Sequence, residues 1–225
     1  MKNKHLATTI VLISCVLFSI EILGNTETQK DMKNNILSLI ITAGINYKSG
    51  IIYNSEVDSV AGATKIGIKA GVKKELHISG NFHFIGTGLE YCYIPQEIRY
   101  NDAPNGINGK RKFDLHLIRL PLTYNMHFFN NDKGNPVFVT RLGVMFSYLL
   151  FDNVKDKGTV PSYSMNKWEL GPLIGFDYYP FYNTGIFFDI YRGSRQLYKD
   201  KYHTKDGQGN LAGFSFGIQQ RFMEF

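Results

Sequence analysis

The sequence has little cysteine, and its cysteines are poorly placed for a disulfide. There are two among 225 residues, Cys15 near the amino terminus and Cys92 in the middle of the chain. If Cys15 belongs to a removed leader, Cys92 has no partner within the mature chain. The disulfide framework of many small secreted domains is then excluded. A single cysteine without a neighbouring motif favours a packing role.

Helical periodicity and clustered charge are also scarce. No segment after residue 24 has a clear helical period of useful length. The net charge of +6 is scattered, and the longest basic run is Lys110-Arg111-Lys112, so we predict no nucleic-acid binding. The histidines have no metal-ligand spacing, and Gly106–Lys110 lacks the full phosphate-loop pattern. We therefore predict no metal, no cofactor and no nucleotide site.

The first 24 residues have the layout of a secretory signal. A basic start precedes an apolar stretch from Leu6 to Leu23, and the chain turns polar after Gly24. We predict a signal peptide over 1–24, a short periplasmic segment over 25–35 and one domain over 36–225. Two alternatives stay open, because Leu12–Cys15 resembles a lipobox for lipidation at Cys15 and about 18 apolar residues could span a membrane as an anchor.

The mature chain shows the two-residue period of β-strands. Its 22 glycines, 14 tyrosines and 17 phenylalanines also favour strands and tight bends. We predict eight strands at 36–47, 64–74, 81–93, 113–128, 136–150, 166–179, 184–194 and 211–223. Pro121 and Pro172 lie inside strands, so each indicates a bulge or a locally unpaired position. The apolar parity changes after Leu117, which predicts a bulge there.

The connections alternate in length. Short ones are predicted at 75–80, 129–135 and 180–183, and long ones at 48–63, 94–112, 151–165 and 195–210. This asymmetry is typical of an outer-membrane barrel with short periplasmic turns and long outer loops. One strand face is apolar and aromatic, and the other carries small and charged residues. The sequence therefore predicts an all-β, eight-stranded antiparallel up-and-down transmembrane β-barrel, with a soluble lipocalin-like periplasmic ligand carrier as the alternative.

Aromatic residues crowd the predicted strand ends, where they would form interfacial girdles. They are Tyr47, Tyr91, Tyr93, Phe128, Phe129, Tyr148, Phe151, Tyr178 to Tyr182 and Tyr198. His83 and His127 fall near the periplasmic rim and are predicted to be interfacial.

Three motifs resemble those of the small outer-membrane β-barrel proteins of the Bacteroidetes, the PorT-like or "porin family" group. They are the segments 117–125 (LIRLPLTYN), 88–91 (GLEY) and 171–175 (GPLIG). The resemblance implies an outer-membrane location and leaves room for a role in secretion or envelope maintenance. The final aromatic, Phe225, resembles the signal that the barrel-insertion machinery reads, although it is out of phase with Phe222.

Strand parity directs charged side chains into the predicted barrel interior. Four are cationic and four anionic: Lys69, Glu90, Arg119, Arg141, Glu169, Asp177, Asp189 and Arg221. Charges taken out of water must be paired, so we expect a salt-bridged core rather than an open pathway. We predict a non-enzymatic barrel whose partners are outer-membrane lipid or lipopolysaccharide, the insertion machinery, and envelope or secretion proteins bound through four long loops.

One pair of residues keeps an enzymatic alternative open. Asp114 and His116 lie two residues apart and share a face near the outer rim of the fourth strand. A histidine oriented by a carboxylate can act as a general base, which is the arrangement of some lipid-modifying or proteolytic outer-membrane enzymes. Ser147 and Ser164 are candidate nucleophiles only because they fall near outer strand ends.

Overall fold

The computed structural model describes residues 37–51, 60–64, 66–79, 82–130, 136–181, 183–202 and 209–224. The predicted signal peptide at 1–24, the segment at 25–35, the alternatives at Cys15, and the side chains of Tyr47, Tyr182, His203 and Phe225 lie outside the described residues. Among the described residues, no helix is long and apolar enough to cross a membrane.

Eleven strands account for almost all of the described chain. They are β1 (Leu37–Ile51), β2 (Val60–Thr64), β3 (Gly67–Ser79), β4 (His83–Asp102), β5 (Ile107–Asn130), β6 (Pro136–Gly158), β7 (Tyr163–Met165), β8 (Trp168–Phe181), β9 (Thr184–Arg192), β10 (Tyr198–Asp200) and β11 (Leu211–Glu224). A 3-10 turn at Ala103–Asn105 joins β4 to β5.

Eight of these strands close into an antiparallel ring, in the order β1, β3, β4, β5, β6, β8, β9 and β11, with β11 pairing back to β1. Each strand pairs with its neighbours along the chain, and β2 continues the line of β3 along β4. The predicted eight-stranded up-and-down barrel is confirmed. Closure satisfies the backbone groups that an open edge would leave unpaired.

The two ends of the barrel differ. At one end, here called the turn end, β1 begins, β11 finishes, and the short connections 80–82, 131–135 and 182–183 join neighbouring strands. At the other, the loop end, three strands extend well beyond the rest: β4, β5 and β6 have 20, 24 and 23 residues. The predicted loops 94–112 and 151–165 are therefore wrong in large part, because they continue the strands, and β7 pairs with β10 beside them.

The apolar residues of the wall point outward. Residues that expose a third or more of their surface include Ile41, Ile68, Ile85, Leu122, Leu142, Leu170, Ile174, Phe176, Ile186, Phe188, Phe216 and Ile218. The polar face of the same strands is buried inside the ring. A soluble barrel has the opposite arrangement, so the lipocalin-like alternative is wrong.

The interior has two layers of different chemistry. Towards the turn end it is filled by charged and amide side chains. Towards the loop end it is a continuous apolar cluster, which includes Cys92, Ile94, Ile98, Phe113, Leu115, Leu117, Leu149 and Leu197. The strand extensions that were predicted as loops add Ile94, Ile98 and Tyr100 to this cluster.

The parity change near Leu117 has a different cause from the predicted one. On β5 the odd-numbered residues stay inside from Arg111 to His127, so β5 itself does not change phase. The ladder shifts between His116 paired with Phe151 and Leu117 paired with Leu149, which leaves the extra residue, Leu150, on β6. The bulge therefore reverses the facing of β6, while β5 changes from a charged to an apolar interior.

Both strand prolines lie where a ladder is incomplete, as predicted. Pro121 pairs with Met145 on β6, but its ladder with β4 is interrupted between Thr87–Leu122 and Glu90–Arg119. Pro172 pairs with Val144 on β6, and the ladder from β8 to β9 begins only at the next residue, Leu173. Each proline thus lacks a ladder partner on the side to which it cannot donate.

Candidate functional site

The centre of the interior is a buried ion cluster around Asp189 on β9. Lys69 Nζ lies 2.5 Å from Asp189 Oδ2 and 3.0 Å from Glu90 Oε1. Arg141 Nη2 donates to Asp189 Oδ1 at 2.8 Å and to Asp177 Oδ1 at 2.6 Å. The cluster therefore joins β3, β4, β6, β8 and β9 across the lumen.

A second cluster lies nearer the turn end, around Glu75 on β3. Its carboxylate accepts hydrogen bonds from Arg221 at 2.6 Å and Asn125 at 2.6 Å, and His127 Nε2 is 3.3 Å away. Arg221 and Gln219 also donate to the hydroxyl oxygen of Tyr179. This cluster links β3, β5, β8 and β11 through buried side chains.

The structure buries all eight of the interior charges named from strand parity, each with at most 2% of its surface exposed. It brings five of them together around Asp189 and places Arg221 in the second cluster. Arg119 and Glu169 lie apart: the Arg119 guanidinium stacks on the ring of Tyr191 at 3.9 Å, and Glu169 accepts a hydrogen bond from the Leu211 amide at 2.8 Å.

Sequence reasoning missed three interior members. Lys73 and Glu75 share the parity of Lys69 on β3, but Glu75 had been assigned to a turn at 75–80. His127 is 3% exposed and lies inside, so its predicted interfacial position is wrong. The signal was the unbroken alternation along β3 and β5, which places all three on the interior face.

Small residues and one aromatic ring make room for these charges. A Cβ at Gly175 would lie 2.7 Å from Asp189 Oδ1 and 2.8 Å from Arg141 Cζ, so the glycine leaves the space that the ion pair occupies. The Lys69 and Lys73 ammonium groups lie 4.7 and 5.0 Å from the centre of the Phe187 ring. Side chains thus fill the lumen, as expected for an eight-stranded ring.

A polar cluster closes the loop end above the apolar layer. The Tyr100 hydroxyl donates to Asp200 Oδ2 at 2.7 Å and lies 2.8 Å from the Tyr198 hydroxyl, to which Arg111 donates at 2.8 Å. Arg111 also forms a two-bond ion pair with Asp156. Burial raises the pKa of both tyrosines well above the ordinary value, so their hydroxyls stay protonated. The cluster fixes β10, and with it β7, to β4 and β5.

We expect Tyr100→Phe to loosen this closure without unfolding the barrel. The change removes two hydrogen bonds and leaves Asp200 with fewer donors, at a cost of about 1–3 kcal/mol. Limited proteolysis of the folded barrel should then cut at or near β7 and β10 faster than in the wild type. Tyr163→Phe, in the partly exposed β7, is the control and should leave the cleavage rate unchanged. Equal rates in both variants would contradict the role given to Tyr100.

Asp114 and His116 have separate hydrogen-bond partners in this structure. Both face outward from β5, and each is bonded to a tyrosine of β4: the Tyr91 hydroxyl is 2.6 Å from His116 Nδ1, and Tyr93 donates to Asp114 at 3.0 Å. The His116 ring also stacks on Phe151, with centroids 4.1 Å apart.

The two candidate serines are placed differently from the rim pair. Ser147 is buried on the interior face of β6, opposite to the outward face of His116, and Ser164 is exposed on β7. His83 stacks on Tyr124 and His77 packs edge-on against Phe84. Within the described ranges no group of histidine, cysteine or acidic residues could hold a metal ion.

Most described girdle aromatics lie on the outer wall. At the turn end Phe128, Phe129, Tyr178 and Phe181 are exposed, and at the loop end Phe151 is exposed while Tyr91, Tyr93 and Tyr148 are half-buried. Trp168, not named from the sequence, joins the loop-end group. Tyr179 and Tyr198 are exceptions, because both are buried in the interior clusters described above.

The comparisons agree with this architecture. A family model described as outer membrane protein beta-barrel domain matches residues 28–195, more than half of the chain. The chain belongs to this family. A comparison with curated proteins finds no match.

Several solved barrels are similar to this chain. One is Ail, the attachment invasion locus protein of Yersinia pestis, in complex with the heparin analogue sucrose octasulfate, at 10% identity over 84% of this chain and 99% of that chain, with a TM-score of 0.42. Neisserial surface protein A has 14% identity, 83% and 97% coverage and a TM-score of 0.41. OprG from Pseudomonas aeruginosa has 11% identity, 84% and 95% coverage and a TM-score of 0.41.

The family membership assigns the barrel to the outer membrane. Short connections face the periplasm in such barrels, so the turn end is periplasmic and the loop end extracellular. On β5 the outward apolar residues run from Ile118 to Phe128, a length that suits one tilted membrane-spanning strand. Beyond them the outward residues of β5 are His116, Asp114, Lys112 and Lys110, so the strand extensions stand outside the membrane.

Proposed function

We propose that this outer-membrane barrel is a closed, non-enzymatic protein that acts through its extracellular strands and loops in a structural or interaction role. The observation that carries the proposal is the filling of its interior. A buried ion network occupies the periplasmic half and an apolar cluster the extracellular half. Among the described residues, ion pairs and apolar side chains fill both layers.

The ion network supports closure because its charges neutralise one another. Apart from the loop-end cluster of Arg111 and Asp200, the described interior has five buried cations outside histidine, Lys69, Lys73, Arg119, Arg141 and Arg221, and five buried carboxylates, Glu75, Glu90, Glu169, Asp177 and Asp189. Opening a pathway would separate these pairs and leave charges uncompensated, at several kcal/mol per ion. A plugged eight-stranded barrel is best suited to serve as a rigid scaffold for what it presents outside.

The geometry of the rim supports a non-enzymatic role. His116 and Asp114 are each held by a tyrosine on the outer wall, and Ser147 faces the interior. A nucleophile and its base must come within hydrogen-bond reach, and these side chains lie on opposite faces of the wall.

The resemblance to PorT-like proteins supports a finer assignment to secretion or envelope maintenance. In that role the partners are lipopolysaccharide, the barrel-insertion machinery, and envelope or secretion proteins bound through the extracellular strands. Comparing the secreted proteins of a deletion strain with those of its parent tests this assignment, and an unchanged secreted fraction with an intact envelope would count against it.

We expect the folded barrel to be electrically silent in planar lipid bilayers. The measurement uses the full chain, folded in detergent and verified by faster gel migration without boiling, with an open porin as the positive control. A silent membrane fits the filled interior. A steady, ion-selective conductance from the gel-shifted protein would refute closure and turn attention to a gated pathway through the Asp189 cluster.

A further inference from the structure

Five basic side chains lie next to one another on the outer wall above the membrane. Arg99 on β4 is in register with Lys110 on β5, and Lys110 with Lys157 on β6. In the row below, Lys112 is in register with Lys155. These five residues, Arg99, Lys110, Lys112, Lys155 and Lys157, are here called the cation ladder.

Two of the five ladder residues, Lys155 and Lys157, face outward because of the bulge on β6. Below Leu150 the odd-numbered residues of β6 point inside, and above it they point outside. The bulge thus turns Lys155 and Lys157 to the outer wall and turns Asp156 inward to Arg111. The side chains of Arg99 and Lys112 are 67% and 47% exposed. The bulge therefore contributes Asp156 to the interior ion pair and Lys155 and Lys157 to the outer surface.

The ladder has far more positive than negative charge. Directly opposed like charges on neighbouring strands destabilise a sheet, and the ladder contains two such rows. Glu97 is the carboxylate within it, 2.8 Å from Arg99 and 3.9 Å from Lys112. The hydrogen bond from Arg99, followed by the charges of Lys110 and Lys112, holds the pKa of Glu97 below its ordinary value. One carboxylate against five cations leaves a strong positive surface that an anionic ligand would neutralise.

The ladder stands immediately above the outer aromatic girdle. On β5, Lys112 is four residues beyond His116, whose row contains Tyr93 and Phe151. At about 3.4 Å per residue and the usual strand tilt, this places the lower row about 10 Å above the girdle. Side chains at that height, directed sideways from the barrel, meet lipid headgroups rather than the open medium.

We propose that the cation ladder is a binding site for the phosphate groups of lipopolysaccharide in the outer leaflet. Three strands spaced by about 4.8 Å give a patch about 10 Å wide, so separate cations can meet separate phosphates. The sideways direction favours a membrane lipid over a soluble polyanion. The inference rests on the proposed interaction role of the extracellular strands and names one ligand of that surface.

The test titrates the full-length barrel, folded in detergent, with bisphosphorylated lipid A and with its monophosphorylated form, and measures binding by native mass spectrometry. We expect tighter binding of the bisphosphorylated form and a fall in affinity as salt rises. Lys112→Gln combined with Lys155→Gln should weaken binding on the order of tenfold. Lys167→Gln combined with Lys199→Gln removes two exposed lysines at the same end and should leave binding within about twofold.

Three outcomes would overturn the inference. The first is equal lipid A affinity in the two double variants, and the second is equal affinity for the bisphosphorylated and monophosphorylated forms. The third is a ladder variant that no longer binds inorganic polyphosphate but still binds lipid A, which would assign the site to a soluble polyanion. Gel mobility without boiling verifies that each variant is folded. If the barrel does not conduct and the ladder variant binds lipid A normally, the proposed lipid site is refuted while closure stands. If the barrel conducts steadily and the ladder variant binds lipid A less tightly, closure is refuted while the lipid site stands.

Discussion

Replacing Asp189 with asparagine is expected to lower the free energy of unfolding of the barrel by about 3–5 kcal/mol. Asp189 is 1% exposed, and its two carboxylate oxygens bind different cations, Lys69 at 2.5 Å and Arg141 at 2.8 Å. Asparagine keeps the shape but removes the charge. Both cations would then remain buried without the anion that they share.

The neighbouring carboxylates cannot replace Asp189. Glu90 is already 3.0 Å from Lys69 and 3.7 Å from Lys73, and Asp177 is 2.6 Å from Arg141. Without Asp189 the central cluster has three cations and two carboxylates. Because these groups are buried, the cost approaches that of breaking a buried ion pair rather than that of losing one hydrogen bond.

Urea titration of the barrel in lipid vesicles, followed by tryptophan fluorescence, measures the effect. Asp152→Asn is the matched control, because Asp152 is an exposed carboxylate above the bulge on β6, and it should change the unfolding free energy by less than about 0.5 kcal/mol. Adding Lys69→Met to Asp189→Asn should restore part of the loss, since it removes one of the uncompensated cations. A loss no greater than that of the control would mean that the cluster is solvated.

The sequence pattern predicted the eight-stranded ring and which residues point outward, but not how far the strands extend beyond the membrane. Alternation identified the spanning parts of the strands because lipid and the narrow lumen demand opposite polarity on successive residues. Outside the membrane this demand disappears. Along 94–102 and 107–112 the outward residues are polar, as in a loop, while Ile94 and Ile98 point inward. Gln96 on β4 and Gly109 and Arg111 on β5 interrupt the inward apolar residues, so the alternation was too broken to distinguish these extensions from loops.

The break after Leu117 shows a second limit. A change of apolar parity in one strand has two physical causes, a bulge in that strand or a change in what fills the interior. Both occur here, but the extra residue is Leu150 on the neighbouring strand. Pairing decides between the causes, and pairing joins residues that a single strand pattern does not relate.

For the interior charges, the sequence predicted which side chains point inward but not which of them pair. Parity is a local property, and it was enough to place Lys69, Arg141 and Asp189 inside. Their partnership is not local, since Lys69 and Asp189 are 120 residues apart and meet only because β3 and β9 face each other across the closed ring. Glu75 was missed for a local reason: the polar residues before the turn hide the continued alternation of β3, so the strand was predicted to end before Glu75.

Replacing Ile174 with arginine is expected to destabilise the barrel by about 2–4 kcal/mol in a lipid bilayer. Ile174 is near the middle of β8 and is 42% exposed on the outer wall, in register with Leu142 on β6 and Ile190 on β9. A guanidinium there would lie among lipid chains and would have to reach a headgroup or thin the bilayer. Urea titration in vesicles measures the loss.

Asn153→Arg provides the matched control because Asn153 faces outward on β6 above the aromatic row, opposite Asp114. The same side chain is placed on the same wall, but outside the hydrocarbon, so we expect less than about 0.5 kcal/mol. Gly175→Phe tests the other face of β8, where a Cβ already meets Arg141 and Asp189, and it should prevent folding or strongly destabilise it. If Ile174→Arg were tolerated as well as Asn153→Arg and Gly175→Phe folded normally, the apolar face of the strands would point inward. The proposed closure of the barrel and the proposed lipid site would then both be refuted, because each depends on which residues of a strand meet lipid.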